Sequence, residues 1–123
     1  MNAAELKKRM QLFAIRIIKL ASSLPNNVAG RTIGNQIIRS GTSSGANYRA
    51  ACIAKSDKDF VNKLKIVEEE LDETLYWMEL IMEAQLVRKE ILNDLMLENE
   101  ELLKIIISSI NTTKNRLSQN SKS

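Results

Sequence analysis

The chain has 123 residues, 44% apolar and 27% charged, which is one domain with material for one hydrophobic core. It contains no His, which excludes His-activated nucleophiles, Cys/His zinc sites and the Glu-x-x-His ligand pairs of di-iron bundles. Cys52 is the single cysteine; it excludes an intrachain disulfide and fits a reducing compartment.

Aromatics make up 4%, with four Gly and one Pro, a composition that favours long helices. Apolar runs such as Ile105-Ile106-Ile107 are far shorter than the roughly 18 residues of a membrane span. Glu5 and the basic residues Lys7, Lys8 and Arg9 lead into an amphipathic pattern with no small-residue cleavage site. No signal peptide is expected, and the protein reads as cytoplasmic with no membrane partner.

Leu6, Met10, Phe13, Ile17, Leu20 and Leu24 alternate between spacings of four and three. That heptad seam predicts a helix over 3–23. Leu24-Pro25-Asn26-Asn27 ends it, because Pro cannot continue the helical hydrogen bonds and Asn27 can cap the next helix. That second helix is predicted over 28–54. Its seam reads Ile33, Ile37, Ser40, Ser44, Asn47 and Ala51, small or polar rather than Leu-rich, with Gly30, Gly34, Gly41 and Gly45 adding more small positions. Each Gly costs about 1 kcal/mol in a helix relative to Ala. Either backbones approach closely here, or Gly41 to Gly45 kinks the helix. Buried Ser44 or Asn47 requires hydrogen-bond partners, so the seam is expected to hold a polar network; Gln36, Arg39, Ser40, Ser43 and Asn47 read as such a network, with a ligand site as the alternative.

Ser56 is the expected N-cap of a third helix over 57–84, with Asp59 in the place of a capping-box Glu. Its seam is Phe60, Leu64, Val67, Leu71, Leu75, Met78 and Met82. A fourth helix over 90–115 uses Leu92, Leu95, Asn99, Leu102, Ile106 and Ile110. Residues 116–123 are polar and expected to be disordered. The fold class is therefore all-α, an antiparallel up-down-up-down four-helix bundle over residues 1–115. Cys52 is expected in its core.

Two helices carry surplus apolar residues. Leu12 and Ile15 fall nearly opposite the first seam, and Ile66, Trp77 and Leu80 lie away from the third. A wide core stripe is one explanation. The other is a homo-oligomer interface formed by these five residues, anchored by Trp77.

Residues 1–65 hold twelve Lys/Arg against three Asp/Glu, while residues 66–123 hold six against twelve. This split points to a basic surface for nucleic acid, to pairing of basic and acidic faces between copies, or to neutralisation within one bundle. The candidate nucleic-acid-binding set is Arg9, Arg16, Lys19, Arg31, Arg39, Arg49, Lys55 and Lys58. Tyr48 is the only aromatic in the basic stretch of the second helix, so RNA or DNA would be held by charge and shape rather than by base reading. Glu68, Glu69 and Glu70 point around their helix, as do Glu98, Glu100 and Glu101. No metal site, cofactor or catalytic residue is expected.

Leu24-Pro25, Gln36, Arg39-Ser40, Ser43 and Asn47, followed by Phe60, Leu64, Ile66, Leu71 and Glu73, resemble the small bacterial four-helix-bundle proteins encoded in 23S rRNA intervening sequences. More distantly, they resemble the accessory variability-determinant protein of diversity-generating retroelements. The resemblance covers roughly residues 10–110. It implies a barrel-like homopentamer without enzymatic activity and, through the retroelement relative, a basic surface engaging nucleic acid and a reverse transcriptase. The chain departs from the pattern at Ala50, where a Glu is usual, and at Glu69-Glu70, where a Gly-Ser pair is usual.

Overall fold

A computed structural model describes the backbone of residues 1–122 and the side chains of residues 1–120. Four helices follow one another: α1 (Ala3–Ser22), α2 (Val28–Cys52), α3 (Asp57–Glu83) and α4 (Lys89–Lys122). Sequential helices pack side by side, and α1 closes the ring against α4 over a short stretch. This is the antiparallel four-helix bundle that short connections dictate.

The helix ends are set by local chemistry. The side chains of Asn2, Asn27 and Ser56 accept hydrogen bonds from the backbone N–H groups of Glu5, Gly30 and Asp59, at 2.9, 2.9 and 3.0 Å. Asp59 turns its carboxylate back to the Lys55 N–H at 3.2 Å, one residue before the cap. At the end of α3, Gln85 takes φ 54°. The Leu86 N–H donates to the Ile81 carbonyl and the Gln85 N–H to Met82, at 3.0 and 3.1 Å, the two bonds of a Schellman motif.

On α4 the predicted seam is buried at all six positions, from Leu92 to Ile110. On α1 the five residues from Leu6 to Leu20 are buried and Leu24 is half-buried. The α3 seam is displaced. Val61, Thr74 and Ile81 are buried, while Phe60, Leu75 and Met82 are only half-buried. From Leu64 on, the buried positions keep a seven-residue repeat, Leu64/Leu71/Met78 and Val67/Thr74/Ile81, whereas the predicted seam steps by four from Leu71 to Leu75 and passes over the polar Thr74.

Helix α2 is continuous through Gly41 and Gly45, so the small residues serve close approach and not a kink. A Cβ on Gly41 would lie 2.7 Å from Ile17 Cγ2, and one on Gly30 would lie 1.9 Å from the Pro25 carbonyl oxygen. Ser44 donates to the Gly41 carbonyl of its own helix at 3.0 Å, which satisfies its buried hydroxyl.

Two expectations are corrected. Cys52 is half-buried rather than sealed in the core, because it sits in the last turn of α2, where the bundle opens. The segment from residue 116, expected to be disordered, continues α4 to Lys122. Arg116 reaches both oxygens of Asp57 at 3.0 Å, and Leu117 packs on the core. Ser123 lies outside the described residues.

Candidate nucleic-acid interface

The cations sort by what they touch. Arg9, at the α1/α4 seam, grips Glu98 with two hydrogen bonds of 2.7 and 2.6 Å. That carboxylate holds the guanidinium pKa above its ordinary value. Arg39 on α2 bridges to α3, bonding Glu70 at 3.2 Å and also Glu73. Both arginines were candidates for phosphate binding, and both spend their charge within the bundle.

The polar network is likewise divided. Arg39 makes a long contact to Gln36, 3.4 Å, and Glu73 accepts from the Trp77 indole at 3.0 Å. This is a surface cluster linking α2 to α3. Deeper in, the Thr74 hydroxyl donates to Ser40 at 2.8 Å. Asn47 instead bonds the Ser43 carbonyl of its own helix, at 2.9 Å. No side-chain bond joins Ser43 or Asn47 to Arg39. In the core, Asn99 donates to the Leu71 carbonyl at 3.0 Å, while its Oδ1 has no partner among the described residues.

Six cations without an ion pair among the described residues gather at one end of the bundle, where α1 and α3 begin and α2 and α4 finish. Lys7, Lys8 and Arg49 border a groove of about 630 Å³ between α1 and α2, floored by Met10, Gly45 and Ala46. Small residues let the two backbones close, which leaves the long basic side chains as the rim. Around the corner lie Lys55 and Lys58, on either side of the Asp57–Arg116 pair, and Lys114 stands two residues before Arg116 on α4. These six cations are exposed. The acids at this end are Glu5, Asp57 and Asp59. Arg116 lowers the Asp57 pKa, and Lys63 lowers that of Asp59 with help from the Lys55 N–H. Only Glu5 is left without a cation. Thus Arg49, Lys55 and Lys58 of the candidate set come together, with Lys7, Lys8 and Lys114 added. Arg16, Lys19 and Arg31 lie towards the other end and do not join them. Lys114 falls in the fourth helix near its expected end, where charge alone gave no sign that α4 returns to the start of α1.

The opposite flank is acidic. Glu68, Glu69 and Asp72, with Lys65 among them, rim a groove of about 390 Å³ between α3 and α4, with Leu103 and Ile107 beside them. Among the described residues, no three or more His, Cys, Asp or Glu converge in a metal-holding group. No described helix is long and apolar enough to cross a membrane. Burial, with Cys52 one turn on, pushes the Tyr48 phenol up to about 12.

An all-α four-helix bundle with a basic end is the class these features define. The chain belongs to the 23S rRNA-intervening sequence protein family, whose pattern matches residues 3–108. It is similar to a crystal structure of a protein with unknown function from the S23 ribosomal protein family of Bacteroides thetaiotaomicron VPI-5482. The two share 39% identity over 85% of this chain and 97% of that one, with a TM-score of 0.80. No curated protein matches.

Proposed function

We propose that this protein is a non-enzymatic homo-oligomer, five copies by resemblance, that binds RNA phosphates through the basic end of each bundle. The observation that carries this reading is the cluster of Lys7, Lys8, Arg49, Lys55, Lys58 and Lys114, exposed and without ion pairs among the described residues. A side chain with no internal partner loses nothing when it takes a phosphate, whereas Arg9 and Arg39 would first have to release a carboxylate. Each phosphate neutralised on a duplex releases a condensed counterion, so repeating the cluster around an assembly multiplies the effect.

The test is a salt titration of binding to an RNA hairpin and to a DNA duplex. Replacing Arg49, Lys55 and Lys58 together by Ala is expected to flatten the slope of log affinity against log salt by about 2–3. Arg9→Ala and Arg39→Ala are expected to leave that slope unchanged. Absence of RNA binding at low salt, or equal loss from all five substitutions, rejects the reading.

A further inference from the structure

The groove between α1 and α2 at the basic end offers more than charge. A phosphate needs cations at the rim, and Lys7, Lys8 and Arg49 supply them. It has no use for the apolar floor beneath them. There Gly45 has no side chain and Ala46 is exposed, so backbone and a methyl group lie open. A Cβ on Gly45 would meet nothing closer than 3.6 Å, whereas one on Gly41 would press into Ile17 at 2.7 Å. The two helices therefore need Gly41 in order to pack, and they do not need Gly45. A residue that weakens its helix without easing packing is expected at a functional site. The walls add hydrogen-bonding groups. Gln11 on α1 is exposed, and its amide carries both donors and an acceptor. On α2 the Thr42 hydroxyl donates to the Ile38 carbonyl at 2.7 Å, which leaves its oxygen as an acceptor. From Asn2 to Ser56 the only acid is Glu5, and it does not line the groove. The exposed Leu12, Ile15 and Ile66 and the half-buried Leu80 lie outside this groove, and Trp77 packs on the bundle's own core.

We infer that this groove seats one unpaired RNA nucleotide, its phosphate between Lys7 and Arg49 and its base laid on Gly45 and Ala46, with Gln11 and Thr42 at the base edge. A duplex keeps its bases paired and stacked, so it can offer the rim phosphates and nothing for the floor. A loop or single strand can splay a base out of the stack and into a recess between helices. The groove, about 630 Å³, falls within the range of about 300–1,000 Å³ usual for small-molecule sites. Tyr48 is buried, so no ring of the second helix stacks on the base, which rests instead on the flat floor that Gly45 leaves. Charge complementarity fixes the orientation, since the three rim cations have no ion pair among the described residues. This inference rests on the phosphate-binding reading and adds single-stranded segments as the class of RNA.

The test compares a short oligouridylate, whose bases are unstacked, with a blunt RNA duplex carrying the same number of phosphates. Charge alone favours the duplex, where the phosphates are denser. The parent chain is expected to prefer the oligouridylate. Ala46→Leu fills the groove without altering any charge. It is expected to weaken oligouridylate binding about tenfold and to leave duplex binding unchanged. Gly45→Ala is expected to move the same ratio in the same direction by a smaller factor, and it decides the matter if Ala46→Leu loses its helicity by circular dichroism. Lys55→Ala with Lys58→Ala, outside the groove, is expected to weaken both probes alike. A parent chain that prefers the duplex overturns the inference, as does an oligouridylate affinity that a helical Ala46→Leu leaves intact. A change of sedimentation in Ala46→Leu would make the groove a contact between copies and overturn it too. Tighter binding of oligothymidylate than of oligouridylate would do the same by making DNA the occupant. Failure of both RNA probes to bind at low salt rejects the phosphate reading underneath; duplex binding without the oligouridylate preference rejects the base seat alone.

Discussion

Single residues show where the backbone is under constraint. At Gly30 an added Cβ would fall within 1.9 Å of the Pro25 carbonyl oxygen, an atom of the chain itself, whereas at Gly45 its nearest neighbour would be the Met10 Cβ at 3.6 Å. Gly30→Ala is therefore expected to destabilise the fold by about 2–3 kcal/mol through overpacking. Gly45→Ala is expected to stabilise it by about 0.5–1 kcal/mol by restoring helix propensity. Urea unfolding of the two variants beside the parent checks both signs. Gln85 holds a left-handed conformation that costs an L-residue about 1 kcal/mol or more. Gln85→Gly is expected to recover about that amount, seen as a higher melting temperature. Reversal of any of these signs would show that the local packing is not what limits the position.

Helices hold together through contacts that no single helix reveals. Asp57 is kept below its ordinary value of 3.8, first by Arg116, and Asp59 likewise by Lys63. Both carboxylates lose more protons in the folded chain than in the unfolded one. Their contribution is present above about pH 4 and is lost as the pH falls through the lowered folded-state values. Melting temperature is expected to drop on that acid limb, and Arg116→Ala is expected to make the drop shallower and to shorten α4. An acid limb unchanged by Arg116→Ala would detach Asp57 from it. The same long-range pairing explains what could be read along the chain. The α4 seam was read correctly at all six positions, although apolar neighbours such as Ile91, Met96, Leu103 and Ile107 flank it. The α3 seam was legible only in part, since the repeat passes through the polar Thr74, and apolar Leu75 beside it drew the seam one residue off. Arg9 and Arg39 look like surface cations on their own helices; their carboxylates stand on α4 and α3, 89 and 31 residues away. The helical tail was missed because its tie, Asp57, lies at the far end of another loop.

For the whole molecule, charge is distributed by position in the fold more than by position in the chain. The first half of the sequence is basic, yet Arg9 and Arg39 are neutralised across helix seams, and the basic end includes Lys114 from the second half. What was legible was the existence of a basic surface. Its place was not, because antiparallel packing brings the start of α1 beside the end of α4.

The short seam between α1 and α4 has a kinetic consequence. Every other helix contact joins neighbours in sequence, and such local contacts close quickly. The last surface to form is the one between the first and last helices, where Arg9 meets Glu98. Arg9→Ala is therefore expected to cost about 1 kcal/mol, and stopped-flow chevrons should show the loss as faster unfolding with an unchanged folding rate. A slowed folding arm would mean that the two chain ends meet early, in the nucleus itself.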